Sequence, residues 1–302
     1  MMNQLGEILF LLGPTGTGKS EFALKLAREN GYEIVNCDSQ QVYKDLNVGT
    51  AKPTTEQQIR VPHHLYSFVE VGEQFTAGQY RKSVLDFLTE KIKEGNTKFL
   101  FVGGSGFYVH ALTSEMYPVG PGEGEIRESV LKDFKDRGPQ ALFAELSAKD
   151  AIYAKKIGSN DLYRLQRSLE ILRAGHSSVS EFQSNAKAQS KNPLIEMGFQ
   201  ISKMGLDLEK AVLRERLKSR AQTMLNEGLI EETKAFLQKG LKDWRPLNSV
   251  GYKEVQQHLS GALPYENLVD AITLSSMQLS KRQRTWFKRD PEIKWQIKET
   301  SI

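Results

Sequence analysis

The chain has 302 residues, 39% of them hydrophobic and 26% charged, which predicts a globular protein of one domain with an insertion, or of two domains. Its formal net charge of +4 is too small to indicate nucleic-acid binding by itself, and the single cysteine, Cys37, excludes an internal disulfide and a cysteine-based zinc module. No apolar run is long enough to span a bilayer and the N-terminal residues lack a signal-peptide pattern, so we expect a cytoplasmic protein without membrane association.

The first element is an apolar strand pattern at residues 8–12, followed by a glycine-rich turn and a helical pattern that extends to residue 27. The turn has the spacing G-x-x-x-x-G-K-[ST], in which backbone N–H groups surround phosphate oxygens, a lysine adds a positive charge and a hydroxyl reaches Mg²⁺. The alternative is a turn that only joins a strand to a helix. We predict a phosphate-binding loop, which by its motif alone favours ATP or GTP, with Ser20 reaching the Mg²⁺ bound to phosphate. Its residues are Gly13, Pro14, Thr15, Gly16, Thr17, Gly18, Lys19 and Ser20.

Strand and helix patterns alternate over the first 112 residues. A strand pattern at residues 33–37 is followed by a helix pattern at 75–93 and by a second buried strand pattern at 98–102. This alternation predicts an α/β fold with a P-loop NTPase-like parallel sheet core flanked by helices.

The pattern changes after residue 112, where prolines and glycines lead into residues with helical patterns only. The breakers are Pro118, Gly120, Pro121, Gly122 and Gly124. The helix patterns lie at residues 125–137, 139–146, 148–157 and 161–173, before a polar stretch at 175–192. A strand pattern at residues 196–205 then returns the chain to the sheet. We predict an inserted all-helical domain at residues 118–195 and a core formed by residues 1–117 and 196–302.

The rest of the chain predicts a helical C-terminal region. Its helix patterns lie at residues 207–226, 231–239, 251–258 and 264–289. Asp207 is the expected N-cap of the first of these helices, and Gly240 is the expected C-cap of the second. The last helix carries a cluster of cations around Trp286 and Phe287, and its alternative interpretation is an ordinary solvated basic face.

The residues after the two predicted strands indicate which phosphate chemistry to expect. Many P-loop ATPases carry an aspartate at the end of a second strand that helps to hold Mg²⁺, but here that strand ends in Gly103 and Gly104. The strand at residues 33–37 is followed by Asp38, which should face the phosphate loop because ligands collect at the carboxyl ends of parallel strands. Asp38 could accept a proton from a nucleophile or bind Mg²⁺ through water. Asp38 or Ser39 could also cap a following helix, which does not exclude a catalytic role.

Three further side chains allow two interpretations each. Lys52 lies in a turn, where it either approaches phosphate or is simply exposed. His63 and His64 invite a metal interpretation, but adjacent residues in a strand point to opposite faces and no third ligand is evident in the sequence.

Several motifs together resemble the bacterial-type tRNA dimethylallyltransferases, also called tRNA isopentenyltransferases. The resemblance rests on the phosphate loop, on the run that begins at Asp38, on residues 49–53 and on residues 103–108. It extends to a helical Asp/Arg/Arg/Glu pattern made by Asp161, Arg164, Arg167 and Glu170, to residues 250–254, and to residues 281–287. It therefore covers nearly the whole chain.

The resemblance implies transfer of a dimethylallyl group from dimethylallyl diphosphate to the exocyclic amine of the adenosine beside the anticodon of tRNA. The phosphate loop would then hold a diphosphate leaving group, with Mg²⁺ as cofactor. By this resemblance Asp38 is the general base, and Ser105 and Arg127 join it as catalytic or substrate contacts. Contacts to the tRNA anticodon stem-loop are implied for Asp38, Ser39, Gln40, Gln41, Ser105, Arg127, Asp161, Arg164, Arg167, Gly251, Tyr252, Lys281, Arg282, Gln283 and Arg284.

The residues alone leave other possibilities open. Without the resemblance, Arg164 and Arg167 on one helix would be interpreted as a salt-bridged surface with Asp161 and Glu170. A small-molecule kinase, an adenine-nucleotide prenyltransferase and a non-catalytic P-loop RNA-binding protein are the alternative functions. We expect a monomer.

Overall fold

The computed structural model describes residues 5–114, 123–188 and 191–297. The chain divides into two compact units, the first formed by Met1–Leu112 with Leu194–Ile302 and the second by Thr113–Pro193. The sequence placed these boundaries a few residues later, after residues 117 and 195. The predicted breakers Pro118, Gly120, Pro121 and Gly122 lie outside the described residues.

The first unit contains a six-stranded sheet in the order β3-β2-β4-β1-β5-β6, and all of its strand pairs are parallel. The strands are β1 (Gly6–Leu12), β2 (Glu33–Asn36), β3 (His63–His64), β4 (Lys98–Gly103), β5 (Phe199–Asp207) and β6 (Ile293–Ile297). This sheet confirms the predicted α/β core. In the register of the sheet, Leu12 at the end of β1 lies between Gly103 of β4 and Gly205 of β5, so the phosphate loop leaves the centre of the sheet.

Four helices accompany the first strands: α1 (Lys19–Asn30), α2 (Thr55–Arg60), α3 (Ala77–Lys93) and α4 (Gly106–Thr113). α1 buries Ala23 and Ala27 against strand residues such as Leu11 and Leu100. α3 begins at a capping box in which the Thr76 hydroxyl accepts from the N–H of Gln79 while the Gln79 side chain accepts from the N–H of Thr76. The helix therefore starts two residues after the predicted position. α2 and α4 were not predicted.

The described part of the second unit is helical. Its helices are α5 (Glu123–Asp136), α6 (Gly138–Lys149), α7 (Ala151–Ile157), α8 (Leu162–Arg173) and α9 (Val179–Ala188). Its core consists of Val130, Leu142, Leu146, Leu165, Leu169 and their buried neighbours. α9 lies within residues 175–192, which we interpreted as a polar stretch without a predicted helix. Asp150 helps to fix it, because one carboxylate oxygen accepts from the N–H of Tyr153 at the start of α7 and the other accepts from the N–H of Ser180 in α9.

The chain then returns to the first unit through α10 (Pro193–Glu196) and β5, followed by α11 (Lys210–Asn226), α12 (Leu229–Gln238), α13 (Tyr252–Leu259) and α14 (Leu268–Phe287). Gly240 follows α12 with φ 75° and its N–H donates to the carbonyl of Leu237, as expected near a helix C-cap. None of the described helices is both long and apolar enough to cross a bilayer.

One prediction for this region was wrong and another was incomplete. Asp207 does not cap α11, because it is the last residue of β5 and Glu209 occupies the N-cap position. The region is also not purely helical, since β6 adds an edge strand beside β5. The predicted strand at residues 196–205 begins instead at Phe199, after the short helix α10.

Candidate active site

The phosphate loop folds around the carbonyl oxygen of Pro14. This oxygen accepts hydrogen bonds from Thr17 Oγ1 at 3.0 Å and from Lys19 Nζ at 2.7 Å. Gly18 has φ 82° at the N-cap of α1, a conformation that glycine adopts without steric cost. The Thr17 hydroxyl is buried and donates within the loop, so it shapes the loop, and contact of Thr17 with a diphosphate stays a prediction.

A cleft of about 380 Å³ opens beside the loop. Among the predicted site residues, those that line it are Thr15, Gly16, Gly18, Lys19, Ser20, Asp38, Gln41 and Gln283. Gly103 and Gly104 at the end of β4 also line it. The structure therefore brings the end of β2 to the phosphate loop, as expected for neighbouring carboxyl ends of parallel strands.

Sequence reasoning missed two arginines of this cleft. Arg216 and Arg220 lie four residues apart on α11, so they project from one face of the helix, and both line the cleft. Arg220 Nη1 donates a 3.2 Å hydrogen bond to Thr15 Oγ1. The i, i+4 spacing is visible in the sequence, but α11 carries several other cations and nothing local distinguishes these two.

Burial dominates the electrostatics of the cleft. It lowers the pKa of Lys19 from 10.5 to about 8, and the nearby Asp38 carboxylate opposes that shift. Burial also lowers the pKa of Arg220, again against the opposing effect of Asp38. Asp38 thus interacts electrostatically with cations on two different elements. An anion bound here would relieve the cost of burying these positive charges.

Asp38 is held in a tight turn rather than at a helix start. Its N–H donates to Asn36 Oδ1 at 2.9 Å, and its own Oδ1 accepts from the N–H of Gln40 at 2.9 Å. The residues that follow form turns, so the helix-capping interpretation of Asp38 and Ser39 was wrong. One carboxylate oxygen of Asp38 is therefore used to fix the turn, while the side chain still faces the cleft.

Ser105 connects this turn to the end of β4. Its Oγ accepts from the N–H of Ser39 at 2.9 Å and donates to Ser39 Oγ at 3.2 Å. Ser105 is not among the residues that line the cleft. Its hydroxyl positions the Asp38 turn in this structure, and direct contact with a substrate stays a prediction.

The other predicted residues near the turn hold neighbouring backbone. Gln41 Nε2 donates to the carbonyls of Thr50 and Ala51, whereas Gln40 Oε1 is buried without a partner in the described residues. Lys52 Nζ donates to the carbonyl of Tyr43 and to Asn47 Oδ1, and burial lowers its pKa to about 8. Lys52 is therefore neither exposed nor at the phosphate loop.

The histidine pair separates as strand geometry predicts. His63 lines the cleft and its Nδ1 lies 2.7 Å from the carbonyl oxygen of Val61. His64 Nε2 lies 2.7 Å from a carboxylate oxygen of Glu33.

Two predicted tRNA contacts are buried instead. Tyr252 is 0% exposed and Gly251 is buried, which contradicts a direct role in binding RNA. The Tyr252 hydroxyl donates to Glu232, whose carboxylate also accepts the backbone N–H groups of residues 47, 48 and 49. This pair anchors the start of the loop that carries Thr50 and Ala51 to the cleft.

The last helix divides its polar residues between three tasks. Gln283 accepts from the N–H of Thr15 and donates to the carbonyl of Gly104, so it joins the phosphate loop to the end of β4. Arg284 forms two hydrogen bonds of 2.6 and 2.7 Å with Asp207. These bonds hold both side chains within the protein, and their contact with RNA stays a prediction. Lys281 and Arg282 are exposed and line a surface groove with Trp286.

In the second unit, the predicted residues lie on α5 and at the start of α8. Arg127 is an exposed residue of α5. Asp161 caps α8 by accepting from the N–H of Arg164 at 3.1 Å, and its carboxylate also pairs with the Arg164 guanidinium at 3.4 Å. Arg167 pairs with the buried Glu170 at 2.9 Å. Both arginines thus make the intrahelical pairs of a salt-bridged surface, and their contact with RNA stays a prediction.

Comparison with known proteins decides the family. The family model described as IPP transferase matches residues 41–290. The chain belongs to the IPP transferase family. It is 42% identical to a tRNA dimethylallyltransferase of Bdellovibrio bacteriovorus over 95% of this chain and 92% of that protein.

Solved structures share the fold of this chain. The crystal structure of the full-length tRNA isopentenylpyrophosphate transferase of Bacillus halodurans is similar with a TM-score of 0.68 and 29% identity, over 96% of this chain and 89% of that one. The crystal structure of a eukaryotic dimethylallyltransferase acting on tRNA has the same fold. Its TM-score is 0.79 and its identity is 24%, over 97% of this chain and 74% of the other.

Proposed function

We propose that this IPP transferase family member transfers a dimethylallyl group from dimethylallyl diphosphate to the exocyclic amine of the adenosine on the 3′ side of the anticodon in tRNA. One observation carries the proposal beyond family membership: Asp38 and the phosphate loop line the same cleft, and Asp38 acts electrostatically on Lys19 and Arg220. The cleft therefore combines a cradle for a diphosphate with a carboxylate that can accept a proton from the attacking amine.

Two elements supply the proposed diphosphate cradle. The first is the phosphate loop, with Lys19 and the hydroxyl of Ser20, at the positive end of α1. The second is α11, which brings Arg216 and Arg220 to the same cleft. Fixed positive groups from both elements stabilise the charge that develops on the leaving diphosphate.

The chain's own residues fit a Mg²⁺ ion held mainly by the substrate. No group of three His, Cys, Asp or Glu suited to a metal occurs in the described part of the chain, whereas Ser20 and Asp38 both face the cleft. Mg²⁺ commonly keeps few protein ligands and is bound through phosphate oxygens, so Ser20 would hold it together with the diphosphate. When bound, the ion would neutralise charge on the departing diphosphate.

The proposed step forms one C–N bond, breaks one C–O bond and transfers one proton. The adenine amine nitrogen bonds to C1 of the prenyl group, the C1–O bond breaks, and diphosphate leaves with the electron pair. The amine proton passes to the Asp38 carboxylate. The adenine must first leave its stack to reach this cleft, which costs a few kcal/mol and less for an unpaired loop base.

The exposed groove of α14 supports an RNA substrate. Lys281, Arg282 and Arg289 line this groove together with Trp286, which is 41% exposed. Cations beside an exposed aromatic ring suit phosphates and a stacked base. With such a substrate we expect a monomer that acts in the cytoplasm.

The test is transfer to RNA. Purified protein with dimethylallyl diphosphate, Mg²⁺ and unmodified tRNA should produce a prenylated adenosine, detected by nucleoside mass. Absence of product on several competent tRNAs would overturn the proposal. ATP-dependent phosphorylation of a metabolite, preferential prenylation of free AMP, or salt-sensitive tRNA binding without turnover would each favour one of the alternative functions instead.

A further inference from the structure

Tyr66 lies at the centre of a strained backbone segment. The residues on both sides of it, Leu65 with φ 61° and Ser67 with φ 51°, have left-handed backbone conformations that are unfavourable for residues other than glycine. Such conformations persist only when the surrounding structure determines them, and they cluster where proteins contact ligands. The position of Tyr66 is therefore imposed by its neighbours.

The residues that hold this segment in place flank the turn of Asp38. Asn36 Nδ2 donates to the carbonyl of Leu65 and to that of Asp38, each at 3.0 Å. The N–H of Ser67 donates to the carbonyl of Gln41 at 3.1 Å. The same fully buried amide of Asn36 thus fixes both the proposed base and the residue that precedes Tyr66.

The Tyr66 side chain is part of the cleft wall. It lines the cleft together with Ala23, Leu24 and Ile34, and it packs against the core cluster that contains Ala23 and Ile34. Its ring also meets His63 edge to face, with centroids 5.6 Å apart. Burial raises the pKa of Tyr66, so the phenol is neutral and adds no charge to this wall.

This apolar wall begins close to the diphosphate cradle. Lys19 and Ala23 lie four residues apart on α1, a rise of about 6 Å, and both line the cleft. A prenyl group attached to a diphosphate at Lys19 would therefore reach the apolar wall within about 6 Å, which is roughly the length of a five-carbon group. Tyr66 is the largest side chain of the wall, so its truncation adds the most room.

We propose that Tyr66 limits the length of the prenyl donor by closing the apolar part of this cleft, so that a five-carbon group is accepted and a ten-carbon group is rejected. This inference rests on the proposed function. It makes Tyr66 a residue that determines donor specificity, and it assigns the effect to the ring rather than to the hydroxyl.

The experiment compares dimethylallyl diphosphate with geranyl diphosphate as donors for tRNA. In Tyr66→Val, the ratio of kcat/KM for geranyl to that for dimethylallyl should rise by about tenfold or more, the size expected when a hydrophobic pocket gains room for extra carbons. Tyr66→Phe should leave the ratio within about twofold, because the ring is kept. Tyr66→Trp should raise KM for dimethylallyl diphosphate without changing inhibition by inorganic pyrophosphate, which lacks the prenyl group.

Tyr32 offers a matched control. It is a half-buried tyrosine that packs against the same core cluster, but it is not among the residues of the cleft. Tyr32→Val should lower thermal stability without changing the donor ratio. An equal change of ratio in Tyr32→Val, or an unchanged ratio in an active Tyr66→Val protein, would overturn this inference alone. If Tyr66→Val does not fold, an unchanged KM in Tyr66→Trp overturns it. No dimethylallyl transfer by the unmodified protein would overturn the proposed function and this inference with it.

Discussion

Gln283 Oε1 accepts a 2.9 Å hydrogen bond from the backbone N–H of Thr15, which lies 268 residues earlier in the chain. The same side chain donates from Nε2 to the carbonyl of Gly104 at 2.9 Å. A Cβ atom at Gly104 would lie 2.4 Å from Gln283 Nε2, so a side chain there would displace this amide. The last helix thus joins the phosphate loop to the residues that follow β4.

Gln283→Glu should weaken binding of the prenyl donor. The carboxylate cannot donate to Gly104 and adds a negative charge beside the diphosphate, so we expect KM for dimethylallyl diphosphate to rise about tenfold, or about 1.4 kcal/mol. Steady-state kinetics with the donor varied at saturating tRNA checks this. Gln278→Glu makes the same charge change at an exposed position of the same helix and should leave the donor KM unchanged. Equal effects of the two variants would refute the role given to Gln283.

Asp38→Asn should remove the base but keep the turn. The amide oxygen can still accept from the N–H of Gln40, whereas no carboxylate remains to take the amine proton. We expect kcat to fall by about 10² to 10⁴, with inhibition by pyrophosphate changed by no more than a few-fold. Asp45→Asn, an exposed position with φ 60° that asparagine tolerates, serves as the control. Normal turnover by Asp38→Asn would exclude Asp38 as the base.

Diphosphate binding should weaken as pH rises through about 8. The pKa of Lys19 is lowered to about 8 by burial, so above this pH the free protein loses the ammonium that the diphosphate needs. The inhibition constant of pyrophosphate should then rise by up to about tenfold per pH unit relative to Lys19→Arg, whose guanidinium stays charged. Pyrophosphate titrates equally in both experiments, so the difference reports Lys19. Parallel profiles for the two proteins would contradict the lowered pKa.

Substitution of Arg282 should weaken tRNA binding, whereas substitution of Arg284 should lower the stability of the fold. Arg282→Gln removes an exposed cation, so KM for tRNA should rise several-fold and the slope of log affinity against log salt should fall by about 1. Arg284→Gln removes the partner of Asp207, and we expect a loss of about 1 to 3 kcal/mol in the free energy of unfolding. Urea unfolding and salt-dependent tRNA binding separate the two effects. A loss of stability in Arg282→Gln with none in Arg284→Gln would reverse the assignment.

Local sequence was sufficient for features whose contacts are local. The phosphate loop is recognisable because its hydrogen bonds to Pro14 come from residues three and five positions away, and its glycines meet a backbone requirement at their own positions. Periodicity likewise revealed β1, β4 and most of the helices. It missed β3, which has two residues, and β6, whose pairing with β5 depends on a partner far away in the chain.

The tertiary structure decided which contacts each polar side chain makes. In the sequence, Arg220, Arg282 and Arg284 are equivalent cations on helices. In the folded chain Arg220 donates a hydrogen bond to Thr15, Arg282 is exposed to solvent, and Arg284 donates to Asp207. The sequence by itself determined that a phosphate loop and a strand-end carboxylate would meet at the carboxyl end of the sheet, because parallel strands bring their carboxyl ends together. Only the tertiary structure decided which distant side chains complete that cleft, because their charges are assigned by burial and by partners that local spacing does not encode.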